Sequence, residues 1–177
     1  MPGVYARALL HAAQSGGRQP EEKIRIAARV PIFFLVNGEH NEAAEALLLA
    51  RNRKRAMHFD DPDYGSDYIQ ESQRKAEFLR MHGPKIAETL VKVGQEIDRN
   101  LTAEEREALF NEKSSVHESL PGIIPSLLVE QAWSKVFASS SFIDQERKEL
   151  ETALGLPGKH GNSLVHALIL KGVIRRA

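Results

Sequence analysis

Apolar residues along this chain recur at three- and four-residue spacings, the period of helices, and no stretch alternates convincingly with the two-residue period of a strand ladder. Residues 4–14 read as a short helix with Tyr5, Leu9, Ala12 and Ala13 on one face, stopped by Ser15-Gly16-Gly17. Pro20, followed by Glu21 and Glu22, suits the first turn of a second helix carrying Ile24, Ile26, Ala27, Ala28 and Val30. Pro31 is expected to kink or break that helix, because it lacks a backbone donor and clashes with the preceding turn. Residues 32–36 are apolar all round and read as a buried helical run ending at Asn37-Gly38.

Asn41 has the chemistry of an N-cap, and the helix after it runs from Glu42 and Glu45 into the basic cluster Arg51-Asn52-Arg53-Lys54-Arg55. Residues 59–67 break the pattern and read as a loop, a hinge or a domain edge. Asp60, Asp61 and Asp63 form its turn and lack the glycine and terminal glutamate of a calcium loop. Residues 68–81 read as a polar helix with Ile69, Ala76, Phe78 and Leu79 as its apolar positions. Gly83-Pro84 is expected to end that helix and start another, striped by Ile86, Leu90, Val93 and Ile97. Thr102 and Glu105 have the spacing of a capping box. Trp133 falls on an apolar helical run with Leu127, Leu128, Val136 and Phe137 and is expected in the core. The sum is eight or nine helices. The expected fold is all-α, a multi-helix bundle over residues 1–112 followed by a smaller C-terminal helical unit over 113–177.

Composition narrows the function classes. The 177 residues carry 24 basic and 24 acidic side chains, so a nucleic-acid role requires positive charge segregated onto one face. The absence of cysteine excludes disulfides and thiolate metal sites. No histidine pair has metal-ligand spacing, and no Walker loop or dinucleotide fingerprint is present, so no metal and no cofactor is expected. The longest apolar run is too short to span a membrane, and the first residues lack the pattern of a signal peptide. A cytoplasmic protein without a membrane role is therefore the expectation.

One local arrangement occurs twice. Leu120-Pro121-Gly122-Ile123-Ile124-Pro125 precedes one apolar helical run, and Leu156-Pro157-Gly158-Lys159-His160-Gly161 precedes another. Pro cannot continue a helix, Gly supplies the positive φ of a C-cap, and the following helix starts with unpaired N–H groups that favour a phosphate. Residues 120–172 resemble the tandem helix-hairpin-helix domain, which grips the DNA backbone without reading bases. Ile124 stands where that family has its second glycine, and the second turn has two residues between its glycines where the family has one. The resemblance implies a non-catalytic nucleic-acid-binding or assembly protein. Its phosphate contacts would be Gly122, Ile123, Gly158, Lys159 and Gly161, with Lys171, Arg175 and Arg176 adding charge. Arg51, Arg53, Lys54 and Arg55 would form a second contact, although acid at the start and base at the end of a helix also suit its macrodipole.

Two other readings stand beside this one. Both turns are also compatible with ordinary helix–helix connections, in a protein-interaction or structural subunit that binds a protein partner or a second copy of itself. Arg51-Asn52 with His58 resembles the Arg-Asn…His pattern of the HEPN ribonucleases, and that resemblance implies metal-independent RNA cleavage. There the histidine would serve as acid or base and the arginine would stabilise phosphorane charge.

Overall fold

The computed structural model describes residues 2–14, 19–110 and 126–176. Those residues form eight α-helices and one short 3-10 helix, with no strand among them. In order they are α1 (Pro2–Gln14), α2 (Pro20–Val36), α3 (His40–Met57), the 3-10 turn Pro62–Tyr64, α4 (Ser66–Asn100), α5 (Ala103–Leu109), α6 (Ser126–Ala138), α7 (Asp144–Leu154) and α8 (Gly161–Lys171). The protein is all-α, a multi-helix bundle, as its periodicity predicts. It forms two compact units, Met1–Ile86 and Ala87–Ala177, and the division falls inside α4. The boundary expected at residues 112 and 113 lies outside the described residues.

In the first unit α2 packs against both α1 and α3. Pro31 does not break α2, which runs through it to Val36. The reason is burial: Val30 through Val36 are all buried. An interior proline costs roughly 3 kcal/mol or more. Burying Ile32, Phe33, Phe34, Leu35 and Val36 returns about 1.5–3 kcal/mol for each side chain, enough to hold the run helical. Tyr5 packs its ring against Phe33 at 4.9 Å, and the Arg7 guanidinium lies over Phe34. The α2–α3 turn ends with Gly38 at φ +82°. Asn41 is not the N-cap. Helix α3 starts at His40, with Glu39 at the cap position. The Glu39 carboxylate caps nothing and instead accepts from Arg7 and the Asn37 amide. That Arg7 hydrogen bond holds its carboxyl below the usual carboxylate range.

Gly83-Pro84 does not divide α4 either. The buried positions Ser72, Ala76, Leu79, Gly83, Ile86, Leu90, Val93 and Ile97 follow one another at spacings of four and three, so a single apolar stripe passes through the Gly-Pro pair in register. Gly83 sits against His40 so closely that a Cβ there would lie 2.2 Å from the His40 Cβ. This glycine serves a close helix approach rather than a stop. Pro84 is exposed, off the stripe.

The second unit uses a similar device. A Cβ on Gly94 would lie 2.7 Å from Leu168 Cδ2 and 2.8 Å from Val173 Cγ1, so this glycine lets the segment around α8 approach α4. Thr102 caps α5 through the expected box, with both of its hydrogen bonds in place. Trp133 is fully buried, stacked on Phe137 at 4.5 Å, with its Nε1–H donating to Glu151 Oε2 at 2.7 Å. Glu96, almost wholly buried, accepts from Lys135 (2.7 Å), Arg99 and Asn100. The Lys135 hydrogen bond, followed by that from Arg99, holds its carboxyl down to about 2.

Candidate nucleic-acid interface

The turn between α7 and α8 is built from the residues of the second Leu-Pro-Gly unit. Helix α7 ends at Gly155, whose φ of +67° is the left-handed C-cap. Gly155, three residues before the expected position, supplies that conformation, and Gly158 does not have a positive φ. Gly155 N and Leu156 N both donate to Glu151 O, at 2.9 and 3.2 Å, and the buried Leu156 anchors the turn. His160 N then donates to Gly155 O at 2.8 Å, Gly161 N to Gly158 O at 3.2 Å and Leu164 N to His160 O at 3.1 Å. The cap of α8 is His160, without a side-chain hydrogen bond.

Three amides, all on exposed residues, are left over. Gly158, Lys159 and Asn162 use their N–H groups in none of the hydrogen bonds of the described residues. They belong to the first turn of α8 and the approach to it, where backbone donors and the helix dipole together favour an anion. Among the described residues nothing lies within 4 Å of where a Gly158 Cβ would be. Lys159 is exposed and adds a full positive charge. Gly161 is buried and its amide is spent inside the turn, so its part is to shape the turn rather than to donate outward.

The other expected contacts are distributed elsewhere. Lys171 is exposed at the far end of α8, about 16 Å along the axis from its start. Arg175 and Arg176 follow the Gly172 cap rather than ending the helix. Arg175 is held by its amide to Asp98 Oδ1 (3.1 Å), and Arg176 Nη2 donates to Phe110 O (2.9 Å). Burial pushes the Asp98 carboxyl up, but the hydrogen bonds from Arg106 and the Arg175 amide outweigh it and leave the pKa below the ordinary value. Gly122 and Ile123, with the whole first Leu-Pro-Gly unit, lie outside the described residues.

In the first unit the basic cluster occupies the C-terminal part of α3. Arg51 lies with its guanidinium 4.3 Å over the Tyr68 ring and donates from Nε to Ser72 Oγ at 2.5 Å. His58 caps α3 and stacks on Tyr64 at 4.7 Å, 14° from parallel, and Tyr64 packs on Tyr68 at 4.8 Å. Ring contacts therefore run from Arg51 through Tyr68 and Tyr64 to His58, and no side-chain hydrogen bond joins Arg51, Asn52 and His58 among the described residues. Asn52, Lys54 and Arg55 are exposed, and Arg53 is half-buried with its Nε lacking a hydrogen-bond partner. Sequence reasoning missed the tyrosines, although Tyr64 and Tyr68 stand four apart, the spacing of neighbours on one helical face.

Among the described residues no group of three His, Asp or Glu side chains is arranged to hold a metal ion, and no helix is long and apolar enough to cross a membrane. Comparison with protein-family models, with curated proteins and with solved structures finds no match.

Proposed function

We propose that this chain is a non-catalytic nucleic-acid-binding protein that grips the phosphate backbone at the α7–α8 turn. The observation that carries the reading is the set of unspent amides on the exposed residues Gly158, Lys159 and Asn162 at the start of α8, with the Lys159 side chain adding charge. A phosphate oxygen accepts from such donors without reference to base identity, so the contact positions a strand rather than reading it. The other occurrence of the Leu-Pro-Gly sequence, at residues 120–122, supplies the second half of the proposal, a further contact to a neighbouring phosphate implied by the resemblance to the tandem helix-hairpin-helix domain. The chain's zero formal charge makes this local, so affinity is concentrated at the turn and not spread over a basic surface.

The test is fluorescence anisotropy with labelled duplex DNA, single-stranded DNA and RNA at low and moderate salt. Binding that falls steeply with salt, and whose slope drops by about one when Lys159 becomes Glu, is the expected result. Failure to bind all three probes at low salt refutes the proposal.

A further inference from the structure

The end of α3 and the start of α4 carry a run of packed π groups, with the His58–Tyr64 pair stacked at 14° and the Tyr64–Tyr68 pair tilted at 56°, that the turn at α8 does not explain. Its order is Arg51, Tyr68, Tyr64, His58, with successive separations of 4.3, 4.8 and 4.7 Å. Hydrogen bonds fix the run at three levels. Arg51 Nε donates to Ser72 Oγ, the Tyr68 hydroxyl donates to Arg51 O at 3.3 Å, and Arg55 Nε donates to Tyr64 O at 3.0 Å. One end of the run is the Arg51 guanidinium and the other is the exposed His58. His58 is exposed and stacks on Tyr64. Phe59 follows it, 79 % exposed, the most exposed large apolar side chain among the described residues. A phenyl ring so placed contributes little to the core, and the exposed Arg55 and Lys54 lie four and five residues before it in the chain.

We infer that His58 and Phe59, backed by the Tyr64–Tyr68–Arg51 run, form a stacking platform for an unpaired nucleobase. The inference rests on the nucleic-acid reading above and adds the kind of strand: one with bases free to stack. A prearranged, exposed ring loses little entropy when a base lands on it, and every base has a π face, so the platform is indifferent to sequence. A duplex keeps its bases stacked on one another and does not use it. The local charge sharpens the inference. Arg53, Lys54 and Arg55 are offset by Asp60, Asp61 and Asp63, so binding at this site draws on stacking and depends weakly on salt. The turn at α8 behaves in the opposite way.

The experiment uses the full chain and three probes: a thymidine oligonucleotide carrying one 2-aminopurine, the same strand in a duplex, and free 2-aminopurine riboside. The expected result is quenching of the single strand's fluorescence on binding. Phe59→Ala and His58→Ala each then weaken single-strand binding about tenfold and leave duplex binding within twofold. Single-strand affinities of both variants within twofold of the parent overturn the platform while leaving the α8 turn standing, since duplex binding reports on the latter. No binding of either oligonucleotide overturns both. Riboside binding as tight as that of the strand overturns the strand assignment and makes the platform a small-molecule site.

Discussion

Gly83 decides between two accounts of α4, and replacing it with alanine tests them by sign. On propensity alone, glycine in a helix interior costs about 1 kcal/mol relative to alanine, so Gly83→Ala should stabilise the protein. The packing says the reverse. The added Cβ would lie 2.2 Å from His40 Cβ and 2.4 Å from His40 Cγ. Carbon atoms in contact sit about 3.5–4.0 Å apart, so the overlap is roughly 1.5 Å. Neither atom is the far end of a flexible chain. His40 Cβ is fixed to the backbone of the first turn of α3, and relief requires the α3 terminus to move away from α4. Overpacking of this kind costs about 1–3 kcal/mol, occasionally more, and an overlap this deep belongs at the upper end. After the propensity gain the expected net loss is about 2 kcal/mol, a fall in Tm of about 4–8 °C for a chain of this size. Differential scanning calorimetry measures it. A second variant isolates the cause: in the background Gly83→Ala, His40→Gly removes the colliding atom and should recover part of the loss. An unchanged or higher Tm in Gly83→Ala would refute the argument that this glycine serves close helix approach.

Two further outcomes follow from the second unit. Glu96 has a folded pKa of about 2, against an ordinary 4.5. Its stabilising effect is therefore complete above about pH 4.5 and is lost as pH falls toward 2. Because Lys135 and Arg99 are largely exposed, screening leaves on the order of 1–2 kcal/mol. Glu96→Gln should lower Tm at pH 7 and match the parent near pH 2, and equal Tm values at pH 7 would sink this account. Trp133 is the only tryptophan and is fully buried against Phe137. Its emission should be blue-shifted and shielded from iodide in the native state, and Trp133→Ala should cost about 3–5 kcal/mol in chemical denaturation.

Local signals predicted local structure well. The capping box at Thr102 and Glu105 needs only four residues and appears as expected. Trp133 entered the core because the run around it is apolar and no nearby motif competes. The errors fall where burial overrides backbone chemistry. Pro31 and Pro84 both carry the usual signal of a helix end, and both sit inside continuous helices. For Pro84 the correction was legible: Leu79, Ile86 and Leu90 keep one register across the pair, and a true break would have reset it. For Pro31 it was not, because an all-apolar run has no face from which to read a register. The candidate interface was legible as a turn but not in its working parts. Unspent amides at Gly158, Lys159 and Asn162 depend on which carbonyls the turn itself consumes, and no spacing rule reports that. The run from Arg51 to His58 joins the end of one helix to the start of another across a 3-10 turn, a path that a motif search along the chain does not follow.

The glycines sort by what each one's fold demands, and this sorting bears on function. Gly83 and Gly94 have no room for a Cβ, and Gly38, Gly155 and Gly172 have positive φ, so the fold itself excludes side chains there. Gly158 has neither constraint: its φ is not positive, and among the described residues nothing lies within 4 Å of where its Cβ would be. Alanine at Gly158 should therefore leave Tm unchanged, whereas alanine at Gly155 forces a left-handed conformation costing about 1–2 kcal/mol and collides with the His160 ring at 2.4 Å. If a phosphate approaches the backbone at the start of α8, the new methyl at Gly158 stands in its path, and affinity for nucleic acid should fall with no loss of stability. The two variants separate shaping the turn from leaving it open. Gly155→Ala should weaken binding and stability together, and Gly158→Ala should weaken binding alone. Unaltered binding by a fully folded Gly158→Ala would mean that nothing approaches the backbone there, and the α7–α8 turn would be a helix connection and no more.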